Sequence, residues 1–244
     1  MTAEGRMRAD RLLVERGLFE SRAKAQAAIE AGFVQANGAT VRKASEEIAR
    51  DAALSASPAH PYVSRGGVKL AAALDYFGID PEDHVCLDVG ASTGGFTQVM
   101  IERGARRVYA VDVGKAQLHG SLRKRPQIVS LEETDIRGLS GATFAEAPTL
   151  VTIDVSFISV RRVLPAVTAI SANTAMLVTL IKPQFEAGRD RVKKGIVRDA
   201  AVHRAVCDDI VAAAAALGWR VRGVIPSPIA GGDGNAEFLL GAAR

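Results

Sequence analysis

The chain has 244 residues, of which 48% are hydrophobic and 24% charged, a composition typical of folded globular proteins that excludes a disordered or fibrous chain. This length allows one large domain, or an ordinary domain with a smaller one attached, and therefore a full hydrophobic core. The formal net charge of +4 and the pI near 9.3 favour a polyanionic partner over an acidic protein surface.

The sequence carries no signal for membrane insertion or export. No apolar run reaches the roughly 18 residues of a membrane-spanning helix, and the first residues lack the apolar stretch of a signal peptide. Cys86 and Cys207 lie in apolar stretches and are interpreted as core residues rather than a disulfide pair. The histidines and cysteines show no metal-ligand spacing, so no metal site is predicted. We expect a cytoplasmic protein without a membrane partner, and a monomer.

Residues 8–56 are predicted to form a small α+β domain of two helices and a hairpin. The second helix is expected to begin after a capping residue, Ser21, and to stop before Gly32. Asn37-Gly38 lies between two β-prone runs, which is typical of a two-residue hairpin turn.

This predicted domain carries cations that suit RNA phosphates, although any one of them fits an ordinary solvated helix face equally well. The stretch from Arg11 to Ala25, with the later Gly32-Phe-Val and Asn37-Gly, resembles the S4 RNA-binding domain. The resemblance implies recognition of folded RNA by its shape and backbone. The candidate RNA-binding residues here are Arg11, Arg16, Arg22, Lys24 and Lys43.

Residues 57–63 are a predicted linker, because their prolines suit neither a helix nor a central strand. Beyond it, strand and helix patterns alternate over 64–244, which predicts a mostly parallel sheet covered on both faces. The loop before the last strand is too short for a crossover helix, so that strand should run antiparallel. A seven-stranded sheet of this kind is the Rossmann-like fold of class I methyltransferases. The strands are predicted at 85–90, 107–112, near 128, 150–154, 176–182, 221–225 and 236–241.

Residues 88–96, Asp-Val-Gly-Ala-Ser-Thr-Gly-Gly-Phe, form a glycine turn after the first strand of this sheet, where ligands bind in such folds. Its glycines allow close approach of a ligand, and Ser92 and Thr93 are expected to cap the next helix. The spacing is not that of a dinucleotide or P-loop motif. We therefore expect the turn to bind S-adenosylmethionine, with NAD as the alternative. We expect Asp112 to accept hydrogen bonds from the ribose diol of the cofactor. The candidate cofactor residues are Asp88, Gly90, Ser92, Thr93, Gly94, Gly95, Phe96 and Asp112.

Four charged residues lie where predicted elements of this sheet begin or end: Lys69, Asp154, Lys182 and Glu237. Charges that close apolar strands are costly unless they are paired or used. If the sheet gathers them, two amines and two carboxylates can together deprotonate a sugar hydroxyl. An Asp154–Lys182 pair that merely ties two strand ends together is the alternative for those two residues.

The chemistry requires separate roles for these residues. We assign Lys182 as the base or as the group that stabilises the developing alkoxide. Asp154 and Glu237 are then orienting groups, and Lys69 is a second electrostatic stabiliser. Which lysine loses its proton is left open at this point.

Four motifs carry a resemblance to a known family: 63–70, 88–97, 182–186 (Lys-Pro-Gln-Phe-Glu) and 227–238. On these residues the chain resembles the TlyA/hemolysin A family, in which an S4 domain is fused to a methyltransferase domain similar to the FtsJ ribose 2′-O-methyltransferases. The resemblance implies 2′-O-methylation of cytidine in ribosomal RNA. It also implies a catalytic Lys-Asp-Lys-Glu tetrad at Lys69, Asp154, Lys182 and Glu237.

The chain departs from the family pattern in the loop after Asp112. Lys115-Ala116 stands where the family usually has Tyr-Gly, and Gly120 stands where tryptophan is expected. Lys115 is therefore expected to replace an aromatic stack with a phosphate contact. Asp135, where many relatives have asparagine, is a further cofactor candidate, because either side chain can accept a hydrogen bond from the adenine amino group.

Further candidate RNA contacts lie in the second predicted domain. The basic stretch 188–198 follows the strand that ends at Lys182, and we interpret it as a lid that clamps RNA, with an ordinary exposed loop as the alternative. The family has a shorter type associated with large-subunit RNA only; this chain looks like that type, so we expect 23S rRNA as the substrate, with 16S rRNA left open as an additional one. The candidates here are Arg65, Lys115, Arg137, Lys193 and Lys194.

Three rival functions remain open to test. A base methyltransferase would use the same cofactor, but the fourth strand is not followed by an Asn-Pro-Pro-aromatic motif, and no strand-end cysteine is available to attack a pyrimidine. A noncatalytic RNA-binding or ribosome assembly factor is the main alternative. A membrane-lytic hemolysin would need an apolar or strongly amphipathic inserting segment, which the sequence does not show.

Overall fold

The computed structural model describes residues 5–244, apart from the side chains of Arg189 and Asp233. The chain forms two compact units: the first ends at Pro61 and the second spans Tyr62–Arg244. Each unit has a hydrophobic core of its own. The predicted linker, 57–63, contains the boundary between the units, and the finer domain bounds stay a prediction.

The first unit consists of short elements. They are β1 (Arg6–Arg8), α1 (Ala9–Glu15), α2 (Arg22–Glu30), β2 (Val34–Ala36), β3 (Ala39–Thr40), β4 (Glu47–Ala49) and β5 (Leu54–Ala56). β1 pairs with β4, and β2 pairs with both β3 and β5, in each case antiparallel. The two helices and the strands enclose a core that includes Leu12, Leu13 and Ile29.

The predicted order of helix, helix and hairpin is confirmed in this unit. The Ser21 side chain caps α2 by accepting a hydrogen bond from the Lys24 backbone N–H. Asn37 and Gly38 have φ angles of 51° and 80°, as the turn between β2 and β3 requires. Strands β1, β4 and β5 were not predicted, because strands of three residues are too short to show an alternating pattern.

The second unit alternates strands and helices along most of its length. Its elements are α3 (Gly66–Phe77), β6 (Val85–Val89), α4 (Gly95–Glu102), β7 (Arg107–Val111), α5 (Gly120–Arg123), β8 (Ile128–Leu131), β9 (Leu150–Ile153), α6 (Leu164–Ile170), β10 (Met176–Ile181), α7 (Pro183–Glu186), α8 (Ala200–Ala216), β11 (Arg220–Pro226) and β12 (Phe238–Ala243). Its strands form one seven-stranded sheet in the order β11-β12-β10-β9-β6-β7-β8.

Only β12 runs against its neighbours in this sheet. It pairs antiparallel with both β10 and β11, whereas the other paired strands are parallel. The loop from 227 to 237 contains no α-helix, so the chain returns beside β11 in the opposite direction. The predicted Rossmann-like sheet with an antiparallel last strand is therefore confirmed.

Both faces of the sheet are covered, which explains why its central strands are continuous apolar runs. Helices α6 and α8 pack on one face, together with Trp219, whose indole N–H donates to the Thr168 hydroxyl at 2.8 Å. Helices α3 and α4 pack on the other face. The two layers fix the strand ends, and thereby the residues that follow them.

Helix α3 rests on β12 at Gly241. Phe77 is the last residue of α3, and a Cβ atom added to Gly241 would lie 2.5 Å from its ring. Lys69 lies in the first turns of the same helix. The close approach at Gly241 therefore helps to fix the helix that carries one of the predicted site residues.

We expect Gly241→Ala to lower the free energy of unfolding by roughly 1–3 kcal/mol, because the Phe77 ring has to move. Urea unfolding measures the change. Gly141→Ala is the matched control: a Cβ there meets nothing within 4 Å, so its effect should stay below about 0.5 kcal/mol. Equal losses in the two variants would contradict this account of the packing.

Candidate active site

The sheet brings the four predicted charged residues to one edge. Asp154 directly follows β9, and Lys182 directly follows β10. Because these two strands are parallel, both residues lie at the same edge of the sheet. The Asp154 backbone N–H donates to the carbonyl of Val89 at 2.8 Å, which places Asp154 beside the start of the glycine turn. In the antiparallel pair β10–β12, Ile181 lies opposite Phe238. Lys182, directly after β10, and Glu237, directly before β12, therefore lie at the same edge of the sheet.

Lys69 and Glu237 form a buried ion pair. The Lys69 Nζ lies 2.5 Å from the Glu237 Oε2, and the side chains are only 9% and 3% exposed. The Glu237 carboxylate also lies against Gly231, because a Cβ added there would be 2.0 Å from Oε1. Removal of either partner would leave an uncompensated buried charge, which is strongly destabilising.

Asp154 and Lys182 form a second, more open pair. The Lys182 Nζ lies 2.6 Å from the Asp154 Oδ1 and donates to the Ser156 hydroxyl at 2.9 Å. Their side chains are 21% exposed for Asp154 and 12% for Lys182. Each lysine therefore has its own carboxylate, and the pair that contains Asp154 is the one that solvent reaches more easily.

The glycine turn packs against the first residue after β9. A Cβ at Gly90 would lie 2.3 Å from the Asp154 carbonyl oxygen, and Gly90 has a φ of 83°. A side chain at this position would therefore push the turn away from Asp154. The close contact joins the turn to the predicted catalytic residues.

The predicted helix cap in this turn is wrong. Gly94, with a φ of 95°, occupies the N-cap position of α4, and no side chain caps the helix. Ser92 instead uses its backbone N–H to donate to Asp112 at 2.8 Å, and the Thr93 carbonyl accepts from the His119 N–H at 3.1 Å. Gly95 and Phe96 are buried in the first turn of the helix. The left-handed conformation at Gly94 favours glycine, which has no side chain with which to cap the helix.

A cavity of about 570 Å³ opens at this edge, between the ends of β6, β7 and β9 and the segment after β8. Six predicted residues line it: Gly90, Ser92, Asp112, Asp135, Arg137 and Asp154. Sequence reasoning missed other lining residues, among them Val113, Ser156, Phe157 and Arg162. They lie in loops or, for Arg162, in a 3-10 helix of one turn, where no periodic pattern marks them.

Phe157 is the most conspicuous of the missed residues. Its side chain is 91% exposed, and its φ of 64° is rare for an aromatic residue. Its ring lies 5.0 Å from the Phe185 ring, centre to centre. The signal that could have found it is an aromatic residue only three positions after a charged strand end.

Asp112 comes directly after β7, at the strand end where it was predicted. Its carboxylate accepts from the Ser92 N–H at 2.8 Å and from the Gly114 N–H at 2.7 Å. A carboxylate offers about four lone-pair sites, so acceptor capacity remains toward the cavity. The residue can therefore bind hydroxyl groups without giving up the contacts that hold the two loops.

Asp135 and Arg137, predicted as a cofactor contact and an RNA contact, are bound to each other. The Arg137 Nη2 lies 2.6 Å from the Asp135 Oδ2, and its Nε also donates to this carboxylate. The hydrogen bond from the Arg137 side chain lowers the pKa of Asp135 to about 2. The carboxylate is thus ionised and already partly engaged.

Asp88 lies beneath the cavity rather than in its wall. It is fully buried in β6, where its carboxylate accepts from the Thr97 hydroxyl at 2.6 Å and the Thr152 hydroxyl at 2.9 Å. Burial raises the pKa of Asp88 to about 7, and the two hydroxyl hydrogen bonds oppose that rise. The structure therefore brings its side chain to the base of the glycine turn, which it ties to α4 and β9.

The predicted RNA-binding residues divide into paired and unpaired cations. Arg22 binds Asp10 at 2.7 Å, Lys24 binds Glu20 at 2.5 Å and Lys115 binds Glu133 at 3.5 Å, whereas Arg16 donates to the Arg50 carbonyl. Asp10 is fully buried, and the side-chain hydrogen bond from Arg8 holds its pKa well below the usual range. The remaining candidates are exposed and have no ion pair with a described residue: Arg11, Lys43, Arg65, Lys193 and Lys194.

Other reactive side chains do not join the site. Burial raises the pKa of the Cys86 thiol far above its usual range and that of Cys207 to about 11, so neither is a ready nucleophile. Within residues 5–244, no group of three or more histidine, cysteine or acidic side chains is arranged to hold a metal ion. No described helix is both long and apolar enough to cross a membrane.

The sequence is similar to known proteins over almost all of its length. Residues 62–244 match the FtsJ-like methyltransferase family and residues 7–52 match the S4 domain. The chain is 47% identical to YqxC of Bacillus subtilis, over 96% of this chain and 84% of that protein. It is 42% identical to a Mycobacterium tuberculosis protein named 16S/23S rRNA (cytidine-2′-O)-methyltransferase TlyA, over 96% of this chain and 89% of that one. A solved structure of a Streptococcus thermophilus protein that carries the name hemolysin matches with a TM-score of 0.78 at 42% identity, over 98% of this chain and 88% of that chain.

The buried Asp88 predicts a particular dependence of stability on pH. Its folded pKa of about 7 exceeds the ordinary 3.8, so its contribution is fully present below pH 3.8 and is lost as pH rises through 7. Relative to the wild type, Asp88→Asn should therefore gain stability between pH 5 and pH 8: by about 1.4 kcal/mol per pH unit up to the folded pKa of about 7, and with no further gain above it. Unfolding midpoints in urea across this range measure the gain.

Asp135→Asn is the control for this experiment. The pKa of Asp135 is lowered to about 2, so its ionisation does not change between pH 5 and pH 8, and the stability difference from wild type should be constant there. A constant difference for Asp88→Asn as well would show that Asp88 does not change its protonation between pH 5 and pH 8.

Proposed function

The chain belongs to the FtsJ-like methyltransferase family, with an S4 domain at its N-terminal end, and we propose that it transfers a methyl group from S-adenosylmethionine to the 2′ oxygen of a cytidine in ribosomal RNA. The observation that carries this proposal is the pairing of two lysines with two carboxylates at the sheet edge where the glycine turn and the cavity lie. The name of the Mycobacterium tuberculosis relative supports the choice of cytidine and of the ribose.

The cavity suits S-adenosylmethionine. A volume of about 570 Å³ is in the range of sites for small molecules of that size. Asp112 offers free acceptor sites for ribose hydroxyls, and Val113 and Ile136 supply apolar wall for a ring. Asp135, although bound to Arg137, keeps acceptor capacity for an amino group. When bound, the cofactor supplies the electrophilic methyl group.

The open pair of Lys182 and Asp154 is the part that we propose meets the substrate hydroxyl. A ribose hydroxyl is a very weak acid, so its oxygen needs either a base or a cation that stabilises its negative charge. Lys182 fills one of these roles, and Asp154, 2.6 Å from its Nζ, orients it. Lys69 and Glu237 are more deeply buried. Lys69 is a second group that stabilises the negative charge on the oxygen, and Glu237 orients Lys69.

Residues 8–56 are proposed to bind RNA and residues 64–244 to carry out the transfer, with 57–63 as linker. The Asp10 carboxylate supports this assignment, because it holds the Arg22 guanidinium in a fixed orientation while the Arg22 side chain stays 48% exposed. A preorganised guanidinium binds phosphate at a lower entropic cost than a mobile one. We propose large-subunit RNA as the substrate and the cytoplasm as the place of action.

The test incubates the protein with labelled S-adenosylmethionine and separate ribosomal subunits that lack the modification, followed by digestion and identification of the labelled nucleoside. We expect 2′-O-methylcytidine from the large subunit. Lys182→Met should lower kcat at least about 100-fold, in line with the loss of a general base or charge stabiliser. Cofactor affinity should be retained, because Lys182 does not line the cavity.

Lys124→Met, at an exposed lysine after α5, is the control and should retain full activity. Label on a base would exclude the ribose as acceptor. If the wild type binds RNA but transfers no label to either subunit, a noncatalytic assembly factor becomes the better account.

Phe157 gives a separate prediction about the substrate. An exposed ring at the cavity mouth can stack on an unpaired nucleobase, which is worth about 1–3 kcal/mol per base. Phe157→Ala should therefore raise KM for the RNA roughly tenfold, within the range of one lost stack. Tyr76→Ala removes another exposed ring, 67% exposed and on α3, and should leave KM unchanged. Equal values of KM for wild type and Phe157→Ala would show that the ring makes no stack.

A further inference from the structure

The basic residues Lys193 and Lys194 lie on a tight turn. Lys193 and Ile196 exchange two backbone hydrogen bonds, both 3.0 Å long, and Lys194 and Gly195 between them have φ angles of 51° and 79°. Both lysine side chains are exposed and have no ion pair among the residues described. The turn therefore presents two ammonium groups from a hydrogen-bonded backbone.

Asn235 connects this turn to the loop between β11 and β12. It is only 3% exposed, and its Nδ2 donates to the Gly195 carbonyl at 3.1 Å and to the Gly232 carbonyl at 3.0 Å. The backbone carbonyl of Asn235 accepts a hydrogen bond from the Gly231 N–H at 2.8 Å. One buried amide thus uses both of its N–H bonds to hold two loops together.

The loop that Asn235 closes is the one that places Glu237. The Glu237 carboxylate lies against Gly231, and the Glu237 backbone carbonyl accepts from the Ser227 N–H at 2.9 Å. That carboxylate in turn binds Lys69 at 2.5 Å. A displacement of Gly231 would therefore move the carboxylate and the ammonium together.

A second connection attaches the same basic segment to the other side of Glu237. After the turn, the Val197 carbonyl hydrogen-bonds the His203 ring nitrogen Nε2 at 2.9 Å. The His203 ring packs on the Phe238 ring, 5.6 Å between centres. The basic segment is thus held to the chain two residues before Glu237 and one residue after it.

We propose that Asn235 is a positioning residue that couples phosphate binding at Lys193 and Lys194 to the Lys69–Glu237 pair; this rests on the proposed function. A phosphodiester bound by the two ammonium groups restrains the turn. Through the Asn235 amide, the same restraint fixes Gly231 and the Glu237 carboxylate. The site then holds its productive geometry when RNA is in place, which favours the chemical step.

A double-mutant cycle on kcat tests this coupling. Asn235→Ala should lower kcat with little change in KM for the ribosomal subunit, whereas Lys193→Gln with Lys194→Gln should raise KM and lower kcat. When the three substitutions are combined, kcat should be no lower than for Asn235→Ala alone, a coupling of about 5-fold or more. A purely structural role of Asn235 would instead give independent effects on kcat that multiply.

Asn235→Asp is the second variant, because it keeps the size of the side chain but cannot donate to Gly195. It should show the same split between kcat and KM, with a thermal midpoint that confirms folding. Independent effects on kcat in both cycles would overturn the coupling. If the wild type fails to methylate ribose, the proposed function fails; if it methylates but the cycles show no coupling, only the role of Asn235 fails.

Discussion

The register between β10 and β12 is the constraint on which the site depends. Ile181, the last residue of β10, lies opposite Phe238, the first residue of β12. Their outer neighbours, Lys182 and Glu237, therefore reach the same edge of the sheet. A slip of one residue would turn the side chains of β12 to the opposite face and remove Glu237 from Lys69. The antiparallel direction of the last strand is equally necessary, because it makes the beginning of β12, rather than its end, meet the carboxyl ends of the parallel strands.

The two ion pairs at this edge of the sheet differ in how deeply they are buried. Lys69 and Glu237 are enclosed by α3 and by the loop that contains Gly231, so packing sets the geometry of this ion pair. Asp154 and Lys182 are more open and adjoin the cavity. Because each ammonium has a carboxylate of its own, the pocket carries little net charge before a substrate arrives. That arrangement limits the desolvation penalty of placing four charges at one strand edge.

Much of this arrangement could be predicted from the sequence, because it depends on apolar runs, turn residues and charges at strand ends. The sheet, the Ser21 cap and the Asn37-Gly38 hairpin are of this kind. The rest depends on tertiary contacts that no local pattern reports. Gly94 takes the helix cap, Asp88 is hidden below the turn, and Phe157 projects from an irregular segment. For the same reason, the sequence could not show which of the predicted RNA-binding cations already have an acidic partner.

Those acidic partners change how the charge of the protein should be counted. Lys24, Lys115 and Arg137 each contact a carboxylate, so the cations available to displace the ions condensed on RNA are fewer than the 31 lysines and arginines suggest. Counterion release scales with the number of phosphates that are neutralised. Association with RNA should therefore weaken with ionic strength less steeply than the full count of lysines and arginines implies.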